Sequence, residues 1–206
     1  MIIKNLKCIF LAVMFSLCFL FVVFNYIFND ERIRRYEFGD LLEKQGAKSM
    51  IEIGVKQGMF TEKILAKWHS FEVYYGIDPW QHQKNYKDWA NVNDNQHENY
   101  YQETRTRLKK YGSKINLIRD YSTNVLNKFK DESIDFIYLD GRHDYCGVYQ
   151  DLKNYYTKLK CNGLMAGDDY IIAKQSINKK NDDDYSICEN GEKVLINGGS
   201  VKGKNK

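Results

Sequence analysis

The chain of 206 residues is long enough for one globular domain with an appendage, because domains average roughly 150 residues. A hydrophobic content of 43%, an aromatic content of 15% and a single proline exclude a disordered chain and long proline-rich linkers. The net charge of +4 comes from 31 basic and 27 acidic residues without a basic stripe, so nucleic acid is not an expected partner. Five cysteines without a C-x-x-C pair predict neither a disulfide framework nor a zinc site.

The first predicted element is an apolar segment, residues 8–28 (CIFLAVMFSLCFLFVVFNYIF), which carries no charged side chain. A helix of this length measures roughly 30 Å, the thickness of the hydrocarbon core of a bilayer. The run lacks an evident signal-peptide cleavage site, so an uncleaved single-pass membrane anchor is expected, with cleavage as the alternative. Basic residues flank it on both sides and leave its orientation open. The chain thus divides into an anchor, residues 1–29, and a domain, residues 30–206.

Helices and strands alternate along the domain. An amphipathic helix is predicted at residues 31–45, ending before Gly46, because apolar residues recur there at roughly helical spacing. The alternation that follows predicts a Rossmann-like, doubly wound parallel sheet of the α/β class. The predicted strands are residues 49–53, 73–77, 115–118, 134–139 and 164–166, and the predicted helices between them are residues 60–68, 98–111, 123–129 and 145–159.

Acidic residues lie at or just after the end of every predicted strand. Ligands of parallel α/β sheets bind at the carboxyl ends of the strands, so these residues are candidates for a functional site. A single acid at such a position is common in turns and helix caps, but capping does not readily explain the whole series. The candidate residues at these strand ends are Glu52, Gly54, Asp78, Asp120, Asp140, Asp168 and Asp169.

The stretch IEIGVKQGMF ends the first strand with an acid and then sets Gly54 and Gly58 four residues apart. Glycines in such a turn allow a ligand to approach the backbone closely. A glycine loop after the first strand and an acid after the second, Asp78, form the general pattern of a nucleotide site. The spacing differs from G-x-G-x-x-G, which disfavours a nicotinamide cofactor.

Four motifs in this order resemble those of class I S-adenosylmethionine-dependent methyltransferases. The segments EIGVKQG and YGIDPW resemble the first two motifs of that class. The segments YLDGRHDY and LMAGDDY resemble the small-molecule O-methyltransferases grouped with the macrocin and catechol enzymes. The resemblance runs from about Met50 to Tyr170, most of the domain. It implies methyl transfer from S-adenosylmethionine to a hydroxyl group of a small molecule.

The resemblance also implies which residues bind the cofactor. Glu52, Gly54 and Gly58 would line its methionine and ribose portion, and Asp78 would bind the ribose hydroxyls. An acid-rich edge is favourable because the cofactor carries a sulfonium cation. The alternative for Glu52 is a helix cap.

The adenine end is assigned in the same way. Trp80 would flank the adenine ring, with a position in the core as the equal alternative. Asp120 would stand where such enzymes contact the edge of the adenine, with Ser122 nearby.

Asp140, Asp168 and Asp169 follow adjacent strands and would bring three like charges close together. This is costly unless a cation compensates, and Mg²⁺ prefers such oxygen ligands. In the resembling enzymes the metal holds the hydroxyl oxygens of the substrate and lowers their pKa. The sequence therefore predicts a magnesium site of these three residues, and turns or helix caps are the alternative.

His143 lies three residues after Asp140, where the catechol-type enzymes place a lysine that serves as general base. Histidine titrates near neutral pH and can accept a proton from the substrate. A structural role for His143 and a base role for Asp140 are the alternatives.

The C-terminal segment, residues 171–206, lacks the helix and antiparallel strand pair that usually finish the class I sheet. A truncated or diverged end is expected, with the fifth strand as an exposed edge. Two rival functions stay open: a glycosyltransferase that binds a nucleotide sugar through Asp182, Asp183 and Asp184, and an inactive methyltransferase-like remnant. Residues 81–96 are predicted to form part of a lid. The methyl acceptor, the side of the membrane and the oligomeric state are not determined.

Overall fold

A computed structural model describes residues 2–4, 33–84, 86, 88–168, 185–187 and 193–195. Six strands form the main sheet, in the spatial order β1-β6-β5-β2-β3-β4. Strands β2 to β6 run parallel, and β1 pairs antiparallel with β6. The strands are β1 (Ile2–Lys4), β2 (Ser49–Ile53), β3 (Val73–Ile77), β4 (Ile115–Ile118), β5 (Ile134–Leu139) and β6 (Leu159–Gly167), and β7 (Tyr185–Ile187) and β8 (Lys193–Leu195) pair separately.

Helices connect the parallel strands. A further helix precedes β2 and is capped by Gly46, whose φ of 65° is the left-handed conformation that commonly terminates helices, as the sequence predicts. The α-helices are α1 (Phe38–Gln45), α2 (Met59–Leu65), α3 (Asp94–Leu108), α4 (Ser122–Val125) and α5 (Tyr145–Tyr156), and 3₁₀ turns cover Arg35–Glu37, Lys109–Lys114 and Leu126–Lys128.

Strand β2 lies at the centre of the sheet, and all five of its residues are buried. Successive side chains of a strand point to opposite faces, so β2 contributes to two cores. Met50 packs in the core beneath α1 and α2, whereas Ile51 and Ile53 pack in the core beneath α4 and α5. Helices therefore cover both faces, as expected for a doubly wound sheet.

The order of the strands places a topological switch point between β2 and β5. The chain runs outward from β2 through β3 to β4, and then returns to the other side of β2 as β5. A crevice forms where the connections diverge, and this is where ligands of open α/β sheets bind. The fold therefore predicts a ligand site between the loops that follow β2 and β5.

The predicted Rossmann-like α/β fold is confirmed. Strands β2 to β5 have the predicted bounds, whereas β6 begins at Leu159 rather than at residue 164. Its first half contains polar and half-exposed residues and pairs with β5 across a register shift, so it lacks the continuous apolar pattern of a buried strand. The predicted helices at residues 60–68, 98–111 and 145–159 shift by a few residues at their ends.

Strand β1 covers the edge of β6, with Ile2 opposite Ala166 and Lys4 opposite Leu164. The expectation that the fifth parallel strand is an exposed edge is therefore wrong. Residues 2–4, which the sequence assigns to the anchor, belong to the sheet of the domain. The predicted span, residues 8–28, lies outside the described residues. Among the described residues, no helix combines the length and apolar character needed to cross a bilayer.

Two of the five cysteines differ from expectation. Cys146 and Cys161 are disulfide-bonded, although their spacing in the sequence indicates no such role. Disulfide partners are set by proximity in the fold, and sequence spacing alone does not identify them.

Candidate active site

A cleft of about 1120 Å³ opens at the carboxyl ends of the parallel strands. Ligand pockets commonly measure roughly 300–1,000 Å³, so this cleft has room for a nucleotide-sized cofactor and a small second molecule. The sequence-predicted residues that line it are Glu52, Gly54, Asp78, Ser122, Asp140, His143 and Asp168. The fold thus brings most of the predicted site residues together.

The glycine loop after β2 touches the turn after β5. Gly54 has a φ of 84°, and a Cβ atom built on it would lie 1.9 Å from the carbonyl oxygen of Asp140. Only glycine fits there, because both the left-handed backbone and the contact exclude a side chain. Gly58 has a φ of 68° and is the N-cap residue of α2, with Thr104 close to where its Cβ would be. The two glycines are therefore required by the shape of the loop.

The carboxylate of Asp78 holds this loop in place. Its Oδ2 accepts hydrogen bonds from the backbone N–H groups of Val55 at 3.0 Å and Lys56 at 2.9 Å. Its Oδ1 accepts a third from the N–H of Trp80 at 2.8 Å. Burial raises the pKa of Asp78, although these backbone donors oppose the rise. Asp78 therefore organises the loop, and its predicted contact with ribose hydroxyls stays a prediction.

Glu52 lies beneath the loop and is only 1% exposed. Its Oε2 accepts hydrogen bonds from the Thr61 hydroxyl at 2.7 Å and from the Tyr74 hydroxyl at 2.8 Å. Burial raises the pKa of Glu52 to about 8, so the carboxyl group is mostly protonated at neutral pH. Glu52 therefore adds little negative charge to the site, contrary to the simple count of acids at this edge.

We expect Glu52→Gln to alter the pH dependence of stability. The unfolded side chain ionises near its ordinary pKa of 4.5, whereas the folded one retains its proton up to about pH 8. The wild type therefore loses stability relative to the glutamine variant as pH rises through this window, by about 1 kcal/mol per pH unit. Above the folded pKa the difference becomes constant.

Urea unfolding of both proteins between about pH 5 and 9 measures this difference. Glu72→Gln is the matched control, because the Glu72 side chain is 69% exposed and its substitution removes no buried carboxyl group. If the difference in the free energy of unfolding between wild type and Glu52→Gln does not change with pH, Glu52 is not protonated in the folded protein at neutral pH.

Trp80 does not line the cleft. Its side chain is fully buried, its Nε1 donates to the carbonyl oxygen of Lys56 at 2.7 Å, and its ring packs against Tyr101. The expectation that Trp80 flanks the adenine is therefore wrong in this conformation, and the core alternative holds. The sequence does not reveal that the ring packs beneath the loop against Lys56 and Tyr101.

The two residues predicted after β4 differ in position. Asp120 does not line the cleft, and its carboxylate accepts hydrogen bonds from the N–H of Tyr121 and the side-chain amide of Asn124, both at 2.7 Å. It thus serves the turn into α4, and its predicted contact with adenine is not supported. Ser122 does line the cleft and donates to Asp151 at 2.6 Å.

Asp151 is a buried acid of the cleft that sequence reasoning missed. Burial raises its pKa to about 6, and the hydrogen bond from Ser122 opposes the rise. It lies within α5, where an acid among other polar residues carries no recognisable motif.

Five charged or titratable side chains form an alternating row that we call the ionic chain: Asp168, Arg35, Asp140, His143 and Asp88. Arg35 donates from one terminal nitrogen to Asp140 Oδ2 at 2.7 Å and from the other to Asp168 Oδ2. His143 Nε2 lies 3.3 Å from Asp140 Oδ1, and its Nδ1 lies 3.3 Å from Asp88 Oδ2. Asp140 is therefore shared between a guanidinium and an imidazole.

The ionic chain bears directly on the predicted magnesium site. Asp169 lies outside the described residues, and the guanidinium of Arg35 stands between the other two predicted ligands, Asp140 and Asp168. A divalent ion between these two carboxylates would be repelled by the guanidinium or would have to displace it. The described residues therefore do not fit a bound Mg²⁺. Within the described ranges, no group of three or more His, Cys, Asp or Glu side chains is arranged to hold a metal.

Sequence reasoning missed Arg35 and Asp88. Arg35 is one of three closely spaced arginines after the apolar segment, and nothing in the sequence distinguishes it from Arg32 or Arg34. Asp88 lies in the predicted lid, residues 81–96, whose composition indicates no particular contact. Both reach the site through tertiary packing, and no local motif could have identified them.

Solved structures with a similar fold include a Corynebacterium glutamicum protein, with a TM-score of 0.52 and 12% identity over 73% of this chain and 65% of that one. PaMTH1, a methyltransferase from Podospora anserina determined with bound SAH, has a TM-score of 0.47 and 18% identity over 64% of this chain. A candidate caffeoyl-CoA O-methyltransferase from Staphylococcus aureus has a TM-score of 0.48 and 15% identity over 80% of this chain and 73% of that one. The chain spans 50% of the Podospora protein.

No curated protein sequence matches the chain. Residues 51–170 match a family described as a methyltransferase domain. This range contains the glycine loop, Asp78, Asp140 and His143, and it covers more than half of the chain. The chain belongs to this methyltransferase domain family, within the class I S-adenosylmethionine-dependent methyltransferases.

Proposed function

We propose that the protein transfers the methyl group of S-adenosylmethionine to a hydroxyl group of a small molecule. The observation that carries the proposal is the contact between the Gly54 loop and the Asp140 turn at the switch point of the sheet. This contact joins a backbone loop suited to a cofactor with a histidine-carboxylate cluster suited to proton transfer. Family membership supports the class of reaction, and the hydroxyl acceptor is part of the proposal.

The cofactor supplies an electrophilic methyl group on its sulfonium when it is bound. The loop from Gly54 to Gly58 presents bare backbone to it, and Asp78 keeps that loop in one conformation through two hydrogen bonds. Fixing the loop before binding reduces the entropy lost on binding. Ser122 and Asp151 provide further polar groups in the same cleft.

His143 is the general base of the proposed reaction. It accepts the proton of the acceptor hydroxyl at Nε2, while the acceptor oxygen forms a bond to the methyl carbon and the carbon–sulfur bond breaks. Asp88, 3.3 Å from Nδ1, orients the ring and stabilises the imidazolium that forms. Asp140 lies next to the same hydroxyl position and is the alternative base. The chain thus contributes positioning and proton transfer.

Aromatic side chains suggest a ring-bearing acceptor. Tyr145 and Tyr149 stack on each other with ring centroids 5.9 Å apart and lie partly exposed at the cleft. Trp89 is 81% exposed and lines the same cleft. The Lys56 Nζ atom lies over its ring, 3.7 Å from the centroid. Exposed aromatic rings beside a cleft favour stacking with planar or cyclic ligands.

The rival glycosyltransferase hypothesis rests on Asp182, Asp183 and Asp184, which lie outside the described residues. The family match is to a methyltransferase domain and gives the rival no support.

Membrane attachment through residues 8–28 is a separate proposal that rests on their uncharged composition. A single crossing would place the two flanks of this segment on opposite sides of the bilayer. Both described flanks, Ile2–Lys4 and the segment from Ile33 onward, belong to one domain. An attachment compatible with strand β1 therefore leaves both flanks on the same side.

Calorimetric titration of the full-length chain with S-adenosylhomocysteine and S-adenosylmethionine tests the proposed function. We expect one site with an affinity in the micromolar range. A uridine diphosphate sugar is the control ligand and should not bind. A folded protein that binds the sugar nucleotide and neither methionine-derived ligand would reverse the proposal.

A further inference from the structure

Arg35 lines the cleft and belongs to an ordered turn of the domain. It begins the 3₁₀ turn Arg35–Glu37, in which the N–H of Arg34 donates to the Glu37 carboxylate at 2.7 Å. The next residue along the chain, Phe38, is buried and packs against Phe136 with ring centroids 5.3 Å apart. The turn is therefore closed by a local hydrogen bond and anchored to the core by Phe38, and the direction of the Arg35 side chain follows from it.

The guanidinium occupies a site shaped for a planar cation. It lies over the rings of Phe60 and Tyr138, with its central carbon 4.8 Å and 5.6 Å from their centroids. Burial lowers the pKa of Arg35, but the neighbouring Tyr138, Asp140 and Asp168 raise it by more, so the group stays charged. Two carboxylates and two aromatic faces together suit a guanidinium better than a hydrated metal ion.

We propose that Arg35 replaces a divalent metal as the resident cation of this site. Without a cation, Asp140 and Asp168 would repel each other at the end of adjacent strands. Arg35 cancels one of the two charges and already binds Oδ2 of each carboxylate, so a metal ion between them would have to compete with the guanidinium.

If the protein is the proposed methyltransferase, the replacement of the metal by Arg35 changes how the methyl acceptor is bound. A metal ion can hold two neighbouring hydroxyl oxygens at once, whereas both terminal nitrogens of Arg35 are already engaged by carboxylates. The acceptor is therefore bound through a single hydroxyl beside His143, and vicinal diols have no advantage over acceptors with one hydroxyl.

Binding of Mn²⁺ to the full-length chain, measured by electron paramagnetic resonance of the free ion, tests the replacement without relying on methyl transfer. We expect wild type to bind Mn²⁺ weakly and Arg35→Gln to bind it at least about tenfold more tightly, because two carboxylates lose their counter-charge. Arg34→Gln removes the same charge from the exposed neighbour and should behave as wild type. Adding Asp168→Asn to Arg35→Gln should abolish the gain.

Two results would overturn the inference. One is wild-type Mn²⁺ binding as tight as that of Arg35→Gln and sensitive to Asp168→Asn. The other is a folded Arg35→Gln variant that gains no Mn²⁺ binding. If Arg35→Gln does not fold, the comparison of wild type with Asp168→Asn still decides, because wild type should show no binding that depends on Asp168.

Titration of the same samples with S-adenosylhomocysteine keeps this inference separate from the proposed function. Failure to bind S-adenosylhomocysteine would reject the methyltransferase proposal and leave the Mn²⁺ comparison interpretable. Tight Mn²⁺ binding by wild type that depends on Asp168 would reject the role of Arg35 and leave the cofactor proposal standing.

Discussion

Gly54→Ala is expected to weaken the binding of S-adenosylhomocysteine at least about 100-fold and to lower the free energy of unfolding by about 3 kcal/mol or more. The added Cβ would lie 1.9 Å from the carbonyl oxygen and 2.4 Å from the carbonyl carbon of Asp140. These are backbone atoms of the neighbouring β5 turn, so no side-chain rotation relieves the contact. The loop must move away from the turn, and the cofactor and proton-transfer halves of the cleft then separate.

Gly46→Ala is the matched control for this substitution. Gly46 has a similar φ of 65°, but a Cβ built there meets no atom within 4 Å. Its substitution adds only the left-handed backbone strain of a non-glycine residue, about 1–2 kcal/mol, and should leave ligand affinity unchanged. Calorimetry and urea unfolding of both variants measure the contrast. Equal effects of the two substitutions would show that the contact with Asp140 is not formed in solution.

His143→Ala is expected to lower kcat about 100- to 1,000-fold once a methyl acceptor is found, with little change in the affinity for S-adenosylhomocysteine. The side chain has a carboxylate near each ring nitrogen, an arrangement that orients an imidazole and stabilises its protonated form. Because a general base acts on the proton of the acceptor, its loss slows transfer without removing the contacts that hold the cofactor.

The control for this variant is His69→Ala, which removes an exposed imidazole away from the cleft and should leave kcat unchanged. Asp88→Asn should lower kcat by a smaller factor, because the imidazolium that forms during transfer loses one stabilising carboxylate. Full activity of His143→Ala, combined with inactivity of Asp140→Asn, would assign the base role to Asp140.

Local sequence patterns sufficed for the framework of this protein. Strands β2 to β5 were predictable to the residue because each is a short apolar run bounded by polar or glycine residues. Gly54, Asp78 and Asp140 were predictable as neighbours because parallel strands deliver their carboxyl ends to one edge. The structure places all three in the same cleft.

The chemistry of the site was predictable only in part. The sequence indicates a cation between Asp140 and Asp168, because two carboxylates require one, but it suggests a metal rather than a distant arginine. Arg35 is separated from Asp168 by 133 positions, and no pattern in one sequence links residues so far apart. The predicted contact of Trp80 with adenine was wrong for a similar reason, because the burial of the ring depends on which distant residues pack against it.

The sequence by itself determined which strands form, the edge of the sheet at which their polar ends meet and the family that these motifs resemble. These features follow from period, turn chemistry and strand order, which act between near neighbours in the chain. Only the tertiary structure decided that strand β1 covers β6, that Glu52 is buried and protonated, and that Arg35, His143 and Asp88 complete the ionic chain. Burial, pKa and ion pairing depend on groups that the fold brings together from distant positions, so they become visible only when the packing is known.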